Sequence, residues 1–535
     1  MPLESKMKLR GEILSILNKY NTDDKISNRT VKNDINSFLK IEDKELLAKI
    51  LLNEVIKGNK KYAKFCSLLI LRVLNKEDIE KQSLKILEKE DISDEKKVFL
   101  LSILRQKEIS FSPEEIENFI HDLDKTATDG IKKFLIDALE SPEAQIDLLD
   151  FYQGITYQEK ISLLNNLTYE SNSKETINAL CILSYLNLTK TEIKIISDNL
   201  LETNFEEAIL GLENILKFDN LEEILIHKIK KKIKELKFKN PKYKNLSLIK
   251  DSKYHKSYVC FIDGNWNFSL IFSRINKDNT INTFFTTINI DLGITSVIGF
   301  SEIEKTNFRE ILQRLFVDSP PIEIEPRVLA SLLDFYKAKN KRTNSLLPYE
   351  FYIWENLLSD IKRCETDVSL YINSKLTYVE IKENKLKNLF NSKILSTWFY
   401  TKNQSKKTEE IFSIPNKQNI QNPCKLEEDI SKFTDNKIAN DKDFVDSFKS
   451  KLLLQAYISK LAKLNAISDY LFSICYKTDY MKIFLNYIVQ KSICHYLLNN
   501  VKSNNQTNVF KKTEKFDFTE KEINKVVEVF EKKWK

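Results

Sequence analysis

Residues 172–223 read NSKETINALCILSYLNLTKTEIKIISDNLLETNFEEAILGLENILKFDNLEE. Four times in this stretch a helix-capping residue stands three positions before a glutamate: Asn172…Glu175, Thr189…Glu192, Asn204…Glu207 and Asn220…Glu223. A capping side chain accepts a backbone N–H of the first helical turn, and the glutamate three residues on bonds back to the cap. Between caps the apolar residues fall at helical spacing, as in Ile177, Leu180 and Leu183. The segment Glu175–Ile182 aligns with Glu207–Asn214 and sets small Ala179 against Gly211, so neighbouring helices are expected to approach closely there.

The same signal continues upstream at Ser112…Glu115 and Thr156…Glu159, with weaker members at Thr126…Asp129 and Ser141-Pro142-Glu143. Proline at the first helical position suits the last of these. Alternate starts at 112, 141, 172 and 204 interleave with starts at 126, 156, 189 and 220, both series at a nearly constant interval. That regularity predicts a repeated helix pair, each helix about 11–13 residues long. A helix pair cannot bury its apolar stripe alone, so consecutive pairs stack. Over roughly Lys44 to Phe238 the pattern resembles the HEAT/armadillo-like class of helical repeats. The resemblance rests on period and patterning, with a period shorter than the ~40 residues usual for HEAT units. It implies an α-solenoid with an extended concave surface; an irregular helical bundle is the alternative.

Past Asn240-Pro241 the period changes from helix to strand. Tyr258–Ile262 is apolar and rich in strand formers, and Asp263-Gly264-Asn265 ends it with a turn signal. Trp266, Phe268, Leu270 and Phe272 then alternate with polar residues, followed by strand-like Ile281–Ile290 and Ile294–Ile298. A capping box at Ser301…Glu304 opens a helix with Phe308, Ile311, Leu312 and Leu315 on one face. This middle module is expected to be a four-stranded antiparallel sheet covered by a helix.

The expected fold class is therefore mainly α, with a small antiparallel β-sheet plus helix module in the middle and a helical C-terminal region. The expected domains are a solenoid over 1–245, the α+β module over 246–318 and a helical extension over 319–401. A polar, mobile linker over 402–443 and C-terminal helices over 444–535 complete the chain.

Only 8 Gly and 10 Pro occur in 535 residues, which disfavours turn-rich β-folds and glycine-loop phosphate sites. Seven scattered cysteines, with no CxxC pair and no cysteine–histidine cluster, argue against a disulfide framework or structural zinc and for a reducing compartment. No secretory signal or bilayer-length apolar run is visible, so a cytoplasmic protein without membrane insertion is expected. No Walker loop, dinucleotide fingerprint, GxSxG, HExxH or kinase element is present. Catalytic residues, metal and cofactor are accordingly expected to be none.

The strongest candidate site is the basic run holding Lys228, Lys230, Lys231, Lys232, Lys234, Lys237, Lys239, Lys242 and Lys244, with Phe238 and Tyr243 interleaved. Lysines neutralise phosphates and aromatic faces stack on unpaired bases. The same run also reads as the solvated outer face of a helix whose Ile229, Ile233 and Leu236 point inward. Asp263 and Asp291 both end predicted strands; brought together they would hold a divalent cation or share a proton, whereas ordinary turn chemistry explains each singly. Cys494-His495 lies among Ile493 and Leu497 on an apolar helix and reads as packing. The function expected is a non-enzymatic protein–protein interaction scaffold. A binder of RNA or single-stranded DNA is the alternative, and an unrecognised hydrolase or nuclease on Asp263 and Asp291 the second one.

Overall fold

The structure is a computed structural model that describes residues 3–22, 28–57, 60–109, 111–122, 130, 135–139, 141–169, 173–218, 221–240, 252–316, 320–401, 406–506 and 519–534. Asn172, Asn220, Thr126, Asp129, Lys242, Tyr243 and Lys244 lie outside the described residues. The chain is mainly helical, with one antiparallel sheet in the middle. Its contacts divide it into Met1–Ile136 and Asp137–Lys535.

The first unit holds helices α1 (Leu3–Thr22), α2 (Asn28–Leu39), α3 (Lys44–Lys57), α4 (Lys60–Val73), α5 (Lys76–Leu87), α6 (Asp94–Gln106) and α7 (Pro113–Phe119). Helix α3 buries Leu47, Leu51 and Leu52 against α4 and α5, and one apolar cluster runs from Ile13 to Ile120. The Ser112 capping box opens α7: the Glu115 N–H donates to the serine hydroxyl, and the Ser112 N–H donates to the Glu115 carboxylate at 2.7 Å.

The second unit begins with α8 (Pro142–Gly154), α9 (Tyr157–Tyr169), α10 (Lys174–Leu183), α11 (Lys190–Glu202), α12 (Ala208–Ile215) and α13 (Glu223–Lys239). Alternate helices pack on one another: α8 on α10 and α10 on α12, α9 on α11 and α11 on α13. Thr156 and Thr189 cap as expected, each donating its N–H to the glutamate three residues on at 2.7 Å. Ser141 caps α8, with Pro142 in the first turn. Helix α10 is capped by Ser173, whose hydroxyl accepts from Thr176 N–H. Asn204 and Glu207 form no box: Glu207 precedes α12 in helical conformation with no side-chain cap bond and instead pairs with Lys174.

The sheet has five strands, one more than the alternation announced: β1 (Lys253–Val259), β2 (Asn267–Ile275), β3 (Ile281–Asn289), β4 (Gly293–Ile303) and β5 (Ile322–Glu323). Their order is β4-β3-β2-β1-β5, with every pair antiparallel. Two residues of β5 carry no readable period, and their pairing with Tyr258 and Val259 depends on where the chain returns. Ser301 sits in β4, so the capping box expected there does not form: its N–H and hydroxyl both donate to the Glu143 carboxylate of α8. The covering helix α14 (Lys305–Leu315) starts four residues later and seats Phe308 with Cys260, Ile271, Ile281 and Phe285 on one sheet face.

The other sheet face belongs to the largest core. Helices α15 (Pro326–Thr343) and α16 (Glu350–Trp354) pack Leu329, Leu333 and Trp354 there with Phe268, Phe272 and Phe284. Gly299 of β4 admits the Trp354 indole; a Cβ at this position would lie 1.9 Å from a ring carbon. The same core continues through α17 (Val368–Ser374), α18 (Glu383–Phe390), α19 (Lys406–Ser413), α20 (Lys417–Ile420) and α21 (Pro423–Phe433). It ends in α22 (Lys442–Leu461), α23 (Asn465–Tyr476), α24 (Thr478–Gln506) and α25 (Glu520–Trp534).

Two expectations about domain limits give way here. The stretch 402–443 is mostly helical from Lys406 onward, because apolar residues spaced along it, among them Ile411, Ile420, Leu426, Ile430 and Ile438, are buried in the main core while most of its polar residues face out. Residues 142–239 also belong with the sheet rather than with the first seven helices. Tyr349 donates to Asp150, the Tyr185 and Tyr352 rings stack at 5.2 Å, and α8 touches β4.

Candidate functional site

Helix α13 turns Ile229, Ile233 and Leu236 inward; their spacing places them on one face. On the opposite face lie Ile224, His227, Lys231, Lys234, Glu235 and Phe238, all exposed. Lys228, Lys230, Lys237 and Lys239 are exposed on the flanks, and Lys232 is half-buried. Two of the lysines are paired, Lys237 with Glu213 at 2.7 Å and Lys239 with Glu235 at 2.8 Å. Lys228, Lys230, Lys231, Lys232 and Lys234 make no ion pair with a described residue. The Phe238 ring is 89% exposed and Ile224 is 70% exposed. Beside α13 an open groove of about 570 Å³ runs along α11, lined by Ile193, Lys194, Ile224, Leu225 and Lys228.

The two strand-end aspartates do different work. Asp263 accepts the N–H groups of Asn265 and Asn267 at 2.8 and 2.9 Å, which holds the β1–β2 turn. Asp291 accepts from the Ser447 hydroxyl at 2.8 Å and pairs with Lys451 at 2.7 Å. Lys451 is buried and its ammonium lies 4.7 Å from the Trp266 ring centre, so this pair ties the β3–β4 turn to α22. Each carboxylate is thus engaged by its own local partners. Among the described residues no group of three or more His, Cys, Asp and Glu side chains could hold a metal ion.

Burial pushes the thiols of Cys66, Cys181, Cys260, Cys475 and Cys494 up to about 12, which leaves them protonated and poorly nucleophilic at neutral pH. The His495 imidazole stacks on Phe399 at 3.9 Å between ring centres.

A cavity of about 490 Å³ opens between α18, α24 and α25. Phe390 and Tyr487 stack in its wall at 4.3 Å, and Leu498, Val527 and Phe530 supply further apolar lining. Lys491 reaches into it, and its ammonium donates to the Leu395 carbonyl. No motif or spacing in the sequence announces this cavity. What signal there is comes from a lone lysine after Ile488, Val489 and Gln490 and before Ile493.

No helix among the described residues is long and apolar enough to cross a membrane. No family model, no curated protein and no solved structure matches this chain.

Proposed function

We propose that this chain is a binding protein built on stacked helix pairs of the HEAT/armadillo-like kind, and that α13 is its contact surface for a single-stranded nucleic acid. The observation that carries the reading is the outward face of α13. Phe238 lies there, four and seven residues after Lys234 and Lys231, opposite the buried Ile229–Ile233–Leu236 stripe. An aromatic ring held almost wholly in water adds little to folding, whereas beside unpaired lysines it can stack on a base whose phosphates those lysines neutralise. The pairing of alternate helices from α8 to α13 supports the repeat, because each helix buries its stripe against the next pair.

The test is fluorescence anisotropy of the full chain with labelled single-stranded RNA and DNA over a range of salt. Affinity is expected to fall with a log–log slope of about −0.7 per neutralised phosphate. Replacing Lys230, Lys231, Lys232 and Lys234 by Glu abolishes binding on this reading, and Phe238→Ala weakens it by roughly 1–3 kcal/mol. Unchanged affinity in the quadruple variant would sink the proposal.

A protein–protein scaffold remains as a second reading on one specific ground. Ile224 and the groove between α11 and α13 give the same helix an apolar end that nucleic acid does not require. A partner captured from native extract that survives nuclease and is lost in Ile224→Asp would favour it.

A further inference from the structure

The cavity between α18, α24 and α25 has features that packing alone does not require. Its volume of about 490 Å³ lies within the ~300–1,000 Å³ usual for sites that hold small organic molecules. Its body is apolar, formed by Phe390, Tyr487, Leu498, Val527 and Phe530. Among the polar residues that line it, two stand out. Lys491 has no carboxylate partner among the described residues; its ammonium meets only the Leu395 carbonyl and, at 5.6 Å, the Tyr487 ring. The Ser392 hydroxyl is buried and has no hydrogen-bond partner among the described residues.

A half-buried cation without a counter-ion, and a buried hydroxyl without a partner, each cost free energy in an empty site. A ligand that brings an anionic oxygen relieves both at once, and an apolar tail on that ligand fills the remaining lining. We infer that this cavity is a binding site for a small apolar carboxylic acid, its carboxylate held by Lys491 and Ser392 and its hydrocarbon body lying among Phe390, Tyr487 and Phe530. Desolvation supports the assignment, since burial has drawn the Lys491 ammonium down to about 8, the direction expected of an amine that lacks its anion. Glu531 is also on the lining and has a partner of its own, and the Cys494 thiol is held protonated by burial and by the charge of Glu531.

The experiment is calorimetric titration of the full chain at pH 7 with decanoate and, separately, with decanol, which has the same tail and no charge. The wild type is expected to bind decanoate about tenfold or more tightly than decanol, the margin a charge-assisted bond supplies. Lys491→Met keeps length and apolar volume, so it should bind the two equally, with decanol affinity unchanged. Ser392→Ala should weaken decanoate by about threefold to tenfold and leave decanol alone, and it decides the matter if the lysine variant fails to fold. Absence of decanoate binding to the wild type would overturn the assignment, as would a preference for decanoate that persists in both variants.

Discussion

Lys491 is the residue whose environment conflicts most with its chemistry. Helix α24 carries it into a largely apolar cavity wall, where its ammonium donates to the Leu395 carbonyl and pairs with no carboxylate among the described residues. A lysine depressed from 10.5 to about 8 binds fewer protons when folded than when unfolded between those two values. Stability must therefore rise with pH across about 8 to 10.5, and the cost of the partly desolvated charge is fully present below that window. At one pKa unit per 1.36 kcal/mol the cost is about 3 kcal/mol at most. Lys491→Met removes the charge and keeps the packing, though it also leaves the Leu395 carbonyl without its donor. The variant should be more stable than the wild type by about 1–2 kcal/mol at pH 7, and the difference should shrink towards pH 10. Urea unfolding of both proteins at the two pH values checks this; an equal difference at both would mean that the amine is not desolvated.

At the scale of the element, the helix pairs were legible because their signals are local. A cap and its glutamate lie three residues apart, so Ser112, Thr156 and Thr189 declare their helices whatever surrounds them. Where a nearby glutamate has a better partner the signal misleads: Glu207 is drawn to Lys174, and Ser301 to Glu143 across the fold. The expected close approach at Gly211 is met with little room to spare. A Cβ there would lie 2.6 Å from the Leu200 Cδ1 and 2.9 Å from the Cys181 Sγ, and Cys181 itself donates to the Glu207 carbonyl. Alanine is the better helix former by roughly 1 kcal/mol, so on an open surface Gly211→Ala would stabilise. Between α10, α11 and α12 the clash dominates, because both neighbours are themselves fully packed. A net loss of about 1–3 kcal/mol is expected, read as a lower urea midpoint. A stabilised variant would show that these helices separate at little cost.

Across the whole molecule, the parts that sequence could not supply are those made by residues far apart in the chain. The Ile262 N–H donates to the Gln455 side chain, the Trp398 indole to the Ile262 carbonyl, and Lys451 to Asp291. None of these pairs has a period or spacing to announce it, and together they fuse the sheet turns to helices that read as a separate region. The lysine face of α13 was legible as a run, the cavity at Lys491 was not, since its walls come from three helices over 140 residues. If one core truly joins the sheet to the C-terminus, damage at one end must be felt at the other. Helix α25 places Ile523, Val526 and Phe530, all buried, in the core that also holds Trp266, Trp354 and Trp398. Removing residues after Gln506 strips three buried side chains, about 5–8 kcal/mol by area and an upper bound, since the unfolded chain already hides some of that surface. Tryptophan fluorescence follows the far side of the core, because three of the four indoles in the chain lie near the sheet and the fourth leaves with the deletion. The truncated protein should lose its buried-tryptophan signal at a midpoint lowered by about 5–10 °C (roughly 1 °C per kcal/mol for a unit as long as Asp137–Lys535). An unchanged tryptophan melt would mean that α25 is an independent appendage and that the core divides between the sheet and the last helices.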